Sequence, residues 1–130
     1  MSEENQFKGK TGLRRVWNAL RYSLDGLRAA HACEAAFRQE TLLAVILIAL
    51  SFFLRVTWTG RALMIASVLL VLIVELVNSA IEAIVDRVSL ERHPLAKRAK
   101  DVGSAAVLLA LLNVLAVWGG VLLDNFSSVS

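Results

Sequence analysis

Residues 62–85 read ALMIASVLLVLIVELVNSAIEAIV, and this stretch decides the fold. It is long enough to cross a bilayer as a helix, since about 20 apolar residues reach across the roughly 30 Å hydrocarbon core. Yet it carries Glu75, Asn78 and Glu82 and runs straight into Asp86. A carboxylate near the bilayer centre costs about 2.5–3.5 kcal/mol on insertion scales, so acids inside a span mark a site or a pathway. At about 100° per residue, Glu75, Asn78, Ser79, Glu82 and Asp86 share one stripe roughly 100° wide, while Ile73, Leu76, Ile84 and Val85 take other directions. One helix face is therefore polar over about three turns, with Glu75 and Glu82 roughly 10 Å apart along the axis.

Two further spans flank this one. Upstream, Leu42–Leu54 is apolar but short, and reaching across the core requires extension to Trp58, with Arg55 snorkelling and Trp58 in the interfacial belt. Glu34, Arg38 and Glu40 would continue the same helix at its inner boundary, giving a first span over 34–58. The second span, 62–86, follows the turn signal Thr57-Trp58-Thr59-Gly60. A loop over 86–101 holds the only proline, Pro94, and a third span over 102–123 is polar only at Ser104 and Asn113. Gly103, Ser104, Ala105 and Ala106 there permit close helix approach. Residues 1–11 read as a flexible polar tail. Over 12–33, Leu13, Val16, Trp17, Leu20, Leu24 and Leu27 recur at helical spacing, with Arg14, Arg21 and Arg28 on another face, which predicts a helix lying in the membrane surface. The expectation is an all-α membrane protein forming one domain over 1–130, with three transmembrane helices and an N-terminal amphipathic surface helix. Three short spans enclose little interior, so the polar stripe is expected to face another subunit or an interfacial cleft.

Composition agrees: 57% of the 130 residues are hydrophobic and the mean hydropathy is +0.62. Twelve of the fourteen basic residues lie in 1–40 or in the loop from Arg87 to Lys100, and only Arg55 and Arg61 flank the other loop. The positive-inside rule then puts the N-terminus in the cytoplasm and the C-terminus outside. Because those basic residues hug the spans, anionic headgroups account for them and no nucleic-acid partner is expected. No cleavable signal segment is read in the polar first forty residues. A single cysteine, Cys33, excludes an intrachain disulfide, and His31, Cys33 and Glu34 make a poor metal cluster because Cys33 points away from the other two.

Glu34, Glu82, Asp86, Lys100 and Asp101 gather at the cytoplasmic end, with Glu75 deeper. Carboxylates converging near a lysine suit magnesium together with nucleotide phosphates; a boundary salt-bridge network has the same residues. No GxxxxGK[ST] loop, kinase loop set, GxSxG elbow or dinucleotide fingerprint is present, which excludes the soluble nucleotide-enzyme classes. Two classes stay open on these grounds: an enzyme acting on an amphiphile at the membrane surface, and a proton- or ion-conducting subunit. Conduction wants polar groups through the full depth, whereas spans one and three offer only Ser51 and Asn113, which favours surface chemistry.

GLRAA at 26–30, EAAFRQE at 34–40, VELVNSAIEAIVDR at 74–87 and AKDVGSAAV at 99–107 resemble the bacterial integral-membrane diacylglycerol kinase family, in order and over nearly the whole chain. The resemblance implies a homotrimer with composite sites at subunit boundaries in the bacterial inner membrane, the N-terminus cytoplasmic and the C-terminus periplasmic. It implies magnesium-dependent transfer from ATP to diacylglycerol, giving phosphatidic acid; a sister branch phosphorylates undecaprenol with the same residues. Carried over by position, Glu75 is the general base and Glu34 and Glu82 are the magnesium ligands. Lys100 neutralises the β- and γ-phosphates. Asp101, Asn78 and Asp86 orient these groups, and Arg15, Tyr22, Glu91, Arg92 and His93, with Glu34, Glu82, Lys100 and Asp101, make up the nucleotide set. Ser104, Arg15 and Glu75 place the lipid. Asp25, the stretch from His31 to Cys33, Arg92 and Pro94 depart from the family pattern.

Overall fold

Three helices long and apolar enough to cross a membrane follow an N-terminal helix. The computed structural model describes residues 2–88 and 93–129, which form α1 (Ser2–Cys33), α2 (Ala35–Phe53), α3 (Trp58–Val88) and α4 (Pro94–Val129). Their contacts fall into two compact units, Met1–Ala35 and Ala36–Ser130.

The first unit is essentially α1. It is helical from Ser2. The segment is rich in Glu, Gln and Lys, all good helix formers, and its glycine costs only about 1 kcal/mol, too little to stop a helix already propagating. Leu13, Val16, Trp17 and Leu20 are exposed. After Cys33 the helix closes with the Glu34 amide donating to the Ala30 carbonyl at 2.9 Å. Glu34 itself lies outside both helices, so the helix of the first span starts at Ala35.

In the second unit, α2 ends at Phe53 and not at Trp58, and the cause lies in α3. Arg61 is buried, its Nε donating to the Ser51 carbonyl at 2.9 Å and its Nη2 to the Leu54 carbonyl at 3.0 Å, while its guanidinium stacks 4.5 Å from the Trp58 ring centroid. The first of these satisfies a carbonyl that the end of α2 leaves without a helical partner, and the second adds to the Leu54 carbonyl, which also accepts from the Val56 amide at 3.1 Å. Thr57 then caps the next helix, its Oγ1 accepting from the Gly60 amide at 3.0 Å, so Trp58 opens α3 instead of closing the first span. Gly60, read as a turn residue, sits in the first turn of α3, where an added Cβ would come 3.1 Å from a Val121 methyl of α4. Replacing Arg61 with alanine strands the Ser51 carbonyl, while Leu54 keeps the Val56 amide, and is expected to lower stability by about 1–3 kcal/mol. Denaturant titration in detergent micelles, with the midpoint read by circular dichroism, checks this.

The loop between the second and third spans is shorter than 86–101. Pro94 starts α4, where its missing N–H costs nothing. His93 caps it, Nδ1 accepting from the Leu95 amide at 3.1 Å and its carbonyl from the Lys97 amide at 3.1 Å. α4 continues past Leu123 to Val129. The core comprises Ala44 of α2, Met64 and Val68 of α3 and Trp118 of α4, with Ile48, Leu72, Val114 and Val121 around it. Trp118 Nε1 donates to the Met64 carbonyl at 3.2 Å, tying α4 to α3 across the buried face. Leu69, Ile73, Leu108 and Leu115 remain exposed, an outer surface that a hydrocarbon solvent would cover.

Candidate functional site

The polar stripe of α3 is the spine of the site. Glu75 is 7% exposed, so its carboxyl is withdrawn from solvent within the second unit. Glu40 Oε2, from α2, is also buried with no donor on it among the described residues. One turn further along α3, Asn78 Nδ2 donates to Glu82 Oε1 at 3.3 Å. Its Oδ1 is buried without a partner among the described residues. What allows Asn78 this position is Gly103 of α4: a Cβ there would collide with the Asn78 amide oxygen. The glycine of the small-residue patch is thus the point where α4 comes closest to the stripe, as small residues permit.

At the end of α3, Asp86 Oδ1 accepts from Lys100 Nζ of α4 at 2.6 Å, with the two side chains 66% and 45% exposed. Lys97 Nζ pairs with Asp101 Oδ2 at 2.6 Å, one turn apart on α4. Ion pairs this open are worth about 0–1 kcal/mol, so either lysine is released to a stronger anion at little cost. The boundary network and the phosphate-binding lysine are therefore compatible descriptions of the same groups.

Of the residues named from sequence, Glu75, Asn78, Glu82, Asp86, Lys100, Asp101 and Ser104 all belong to the second unit, on α3 and the first turns of α4. Ser104 is exposed beside Gly103. Arg15 and Tyr22 are exposed on α1, and Glu34 is half-buried at its end, all in the first unit. His93 caps α4. Glu91 and Arg92 lie outside the described residues. Sequence reading named Gly103 within the small-residue patch, but not Asn78 as the side chain that it accommodates.

Among the described residues no three His, Cys, Asp or Glu side chains cluster as a protein-only metal cage. The donor set along the stripe is nonetheless all oxygen. Glu82 and the unpartnered Asn78 amide oxygen suit a hard cation, and magnesium needs only one or two protein carboxylates when phosphates and water fill the rest.

Residues 21–122 match the prokaryotic diacylglycerol kinase family. The chain is 62% identical over 117 residues to a diacylglycerol kinase of Pseudomonas aeruginosa, covering 90% of this chain and 95% of the relative. It is 55% identical over 112 residues to that of Haemophilus influenzae, covering 86% and 95%. With that of Escherichia coli the identity is 48% over 116 residues, covering 89% and 95%.

Proposed function

Because this chain belongs to the prokaryotic diacylglycerol kinase family, we propose that its α3 stripe is the site at which the γ-phosphoryl group of ATP passes to diacylglycerol, with Glu75 as the base. The protein is a bacterial membrane enzyme that phosphorylates diacylglycerol. The observation that carries the site assignment is the buried Glu75 carboxyl on the same helix face as Asn78, Glu82 and Asp86. Every named relative is a diacylglycerol kinase, which favours that alcohol over undecaprenol.

The chemistry follows from where these groups sit. Diacylglycerol presents one primary hydroxyl just beneath the headgroups, at a depth an intramembrane carboxylate can share. Glu75 takes the hydroxyl proton as the oxygen bonds to the γ-phosphorus, and the bond from that phosphorus to its bridging oxygen breaks, releasing ADP. Lys100 exchanges its open pair with Asp86 for the β- and γ-phosphate oxygens, and Asp101, held by Lys97, borders the same end of α4. Asn78 orients Glu82 through the hydrogen bond between them. Glu82 and Glu34 would hold magnesium, which when bound neutralises charge on the phosphates. Arg15, Tyr22, Glu91, Arg92 and His93 complete the nucleotide set, and Ser104 with Arg15 meets the lipid. α1 lies on the cytoplasmic leaflet through its leucines and Trp17, and three copies form a homotrimer with composite sites.

ATP is cytoplasmic, so both the α3–α4 connection and α1 must be inside. In a background lacking Cys33, single cysteines at the exposed positions Val88 and Ser127 test this with an impermeant thiol reagent on intact spheroplasts. Only Ser127→Cys should react. Labelling of Val88→Cys from outside would overturn the orientation and the ATP-side assignment together.

A further inference from the structure

Glycine is a poor helix former, yet Gly103 lies buried in the interior of α4, and its φ is not in the left-handed region that favours glycine. The backbone there gives no reason for its presence. Gly119 and Gly120 of the same helix have open space where a side chain would go, whereas the space beside the Gly103 Cα is filled. Beyond its own turn of helix, the nearest atoms to a Cβ at this position are Oδ1, Cγ and Cβ of Asn78, the first in collision and the second at 3.3 Å. The missing side chain is matched to one partner. The Asn78 amide is held at both ends: Oδ1 is buried without a hydrogen bond among the described residues, and Nδ2 donates to Glu82 Oε1 at 3.3 Å. Because an amide is planar and rigid, Oδ1 cannot be pushed out of the notch without moving Nδ2 as well.

We propose that Gly103 is a positioning residue for phosphoryl transfer: the notch it leaves in α4 sets the angle of the Asn78 amide, and the amide in turn holds Glu82 in the rotamer that meets magnesium. This rests on the reading of Glu82 as a magnesium ligand. A Cβ at 103 would turn the amide about its last side-chain bond and swing Nδ2 away from Glu82 Oε1. At 3.3 Å that hydrogen bond is already at the long end of the usual range, so a small swing breaks it. Glu82 then regains rotamer freedom that has to be lost again each time the cation and the phosphates bind. The close approach of α4 to α3 is thereby coupled to the geometry of the donor set, although Gly103 touches neither metal nor substrate.

The variants Gly103→Ala and Asn78→Ala, the two combined, and Glu82→Gln, each as full-length protein in mixed micelles, separate the possibilities. Two quantities are compared: kcat with diacylglycerol, and the affinity for the Mn2+ complex of a non-hydrolysable ATP analogue, read by electron paramagnetic resonance of the bound ion. Manganese stands in for magnesium. Loss of a group that orients a metal ligand costs about 10–100-fold in metal affinity or activity, and Gly103→Ala is expected to lose that much in both, with the KM for diacylglycerol unchanged. In the Asn78→Ala background the same substitution should cost nothing further, because no amide remains to be turned. Normal Mn2+ affinity in Gly103→Ala or in Asn78→Ala overturns the proposal. So does a combined variant in which the two losses multiply, which would make Gly103 an ordinary packing residue. Asn78→Ala leaves α4 unaltered and tests the link to Glu82 even where Gly103→Ala assembles badly. Undiminished Mn2+ affinity in Glu82→Gln would instead overturn the ligand reading, and with it this inference, whereas a loss in Glu82→Gln that Gly103→Ala does not share overturns the inference alone.

Discussion

Glu82→Gln is expected to lower turnover at saturating ATP by at least about a hundredfold while the protein still folds and inserts. The substitution keeps the shape of the side chain and an oxygen able to accept from Asn78 Nδ2, so the contact at 3.3 Å within α3 has no reason to break. What is lost is one negative charge from an all-oxygen donor set. An amide oxygen is a weak substitute for a carboxylate toward a hard dication. Charge neutralisation of transferring phosphates is worth several kcal/mol, and each 1.36 kcal/mol is tenfold in rate. The checks are initial rates over a magnesium titration, with circular dichroism and size-exclusion profiles to establish assembly. A shallow loss fully restored by modest extra magnesium would leave Glu82 as a minor contributor, and near-normal turnover would remove it from the ligand set.

That Glu82 could be nominated at all shows what kind of information the chain carries openly. The stripe on α3 was legible because intervals of three, four and seven residues fix a direction around a helix without reference to anything else. The all-helical architecture was legible for the same reason: three apolar runs leave little choice in a solvent that forbids unsatisfied backbone. Helix ends were not, because they depend on partners elsewhere in the chain. Trp58 read as the end of one span, yet Arg61 reaches back to cap α2 and makes Trp58 the start of the next helix. Pro94 read as a loop residue, although a proline is at home in a first turn and His93 caps it there.

Contacts between helices were the least legible. Periodicity says that Gly103 sits somewhere crowded; it cannot say that Asn78 is what meets it. The pairing of Lys100 with Asp86 needs the register of α3 against α4, which no local pattern encodes. The individual roles of base, ligand and phosphate partner came from resemblance to a family, and geometry adds to them only what each side chain touches.

The roles assigned to Glu75 and Lys100 differ in kind, and so should the defects of their variants. Glu75→Gln retains volume, but an amide cannot accept the hydroxyl proton. Loss of a positioned base costs about 10²–10⁴-fold in rate, and the loss should fall on kcat with ATP affinity nearly unchanged. Lys100 acts on the nucleotide before and during transfer. Its pair with Asp86 is exposed, so Lys100→Ala sacrifices little folding stability, about 0–1 kcal/mol, and leaves Asp86 in contact with solvent rather than stranded. Without the amine, the phosphates lose a charge-assisted contact in the ground state as well as in the transition state. Lys100→Ala should therefore raise the KM for ATP and lower kcat together. Equilibrium binding of a non-hydrolysable ATP analogue, set beside steady-state kinetics for both variants, distinguishes the two patterns directly. Identical defects, with ATP affinity falling equally in both, would mean that Glu75 holds the nucleotide rather than the proton, and the division of labour along the α3 stripe would have to be abandoned.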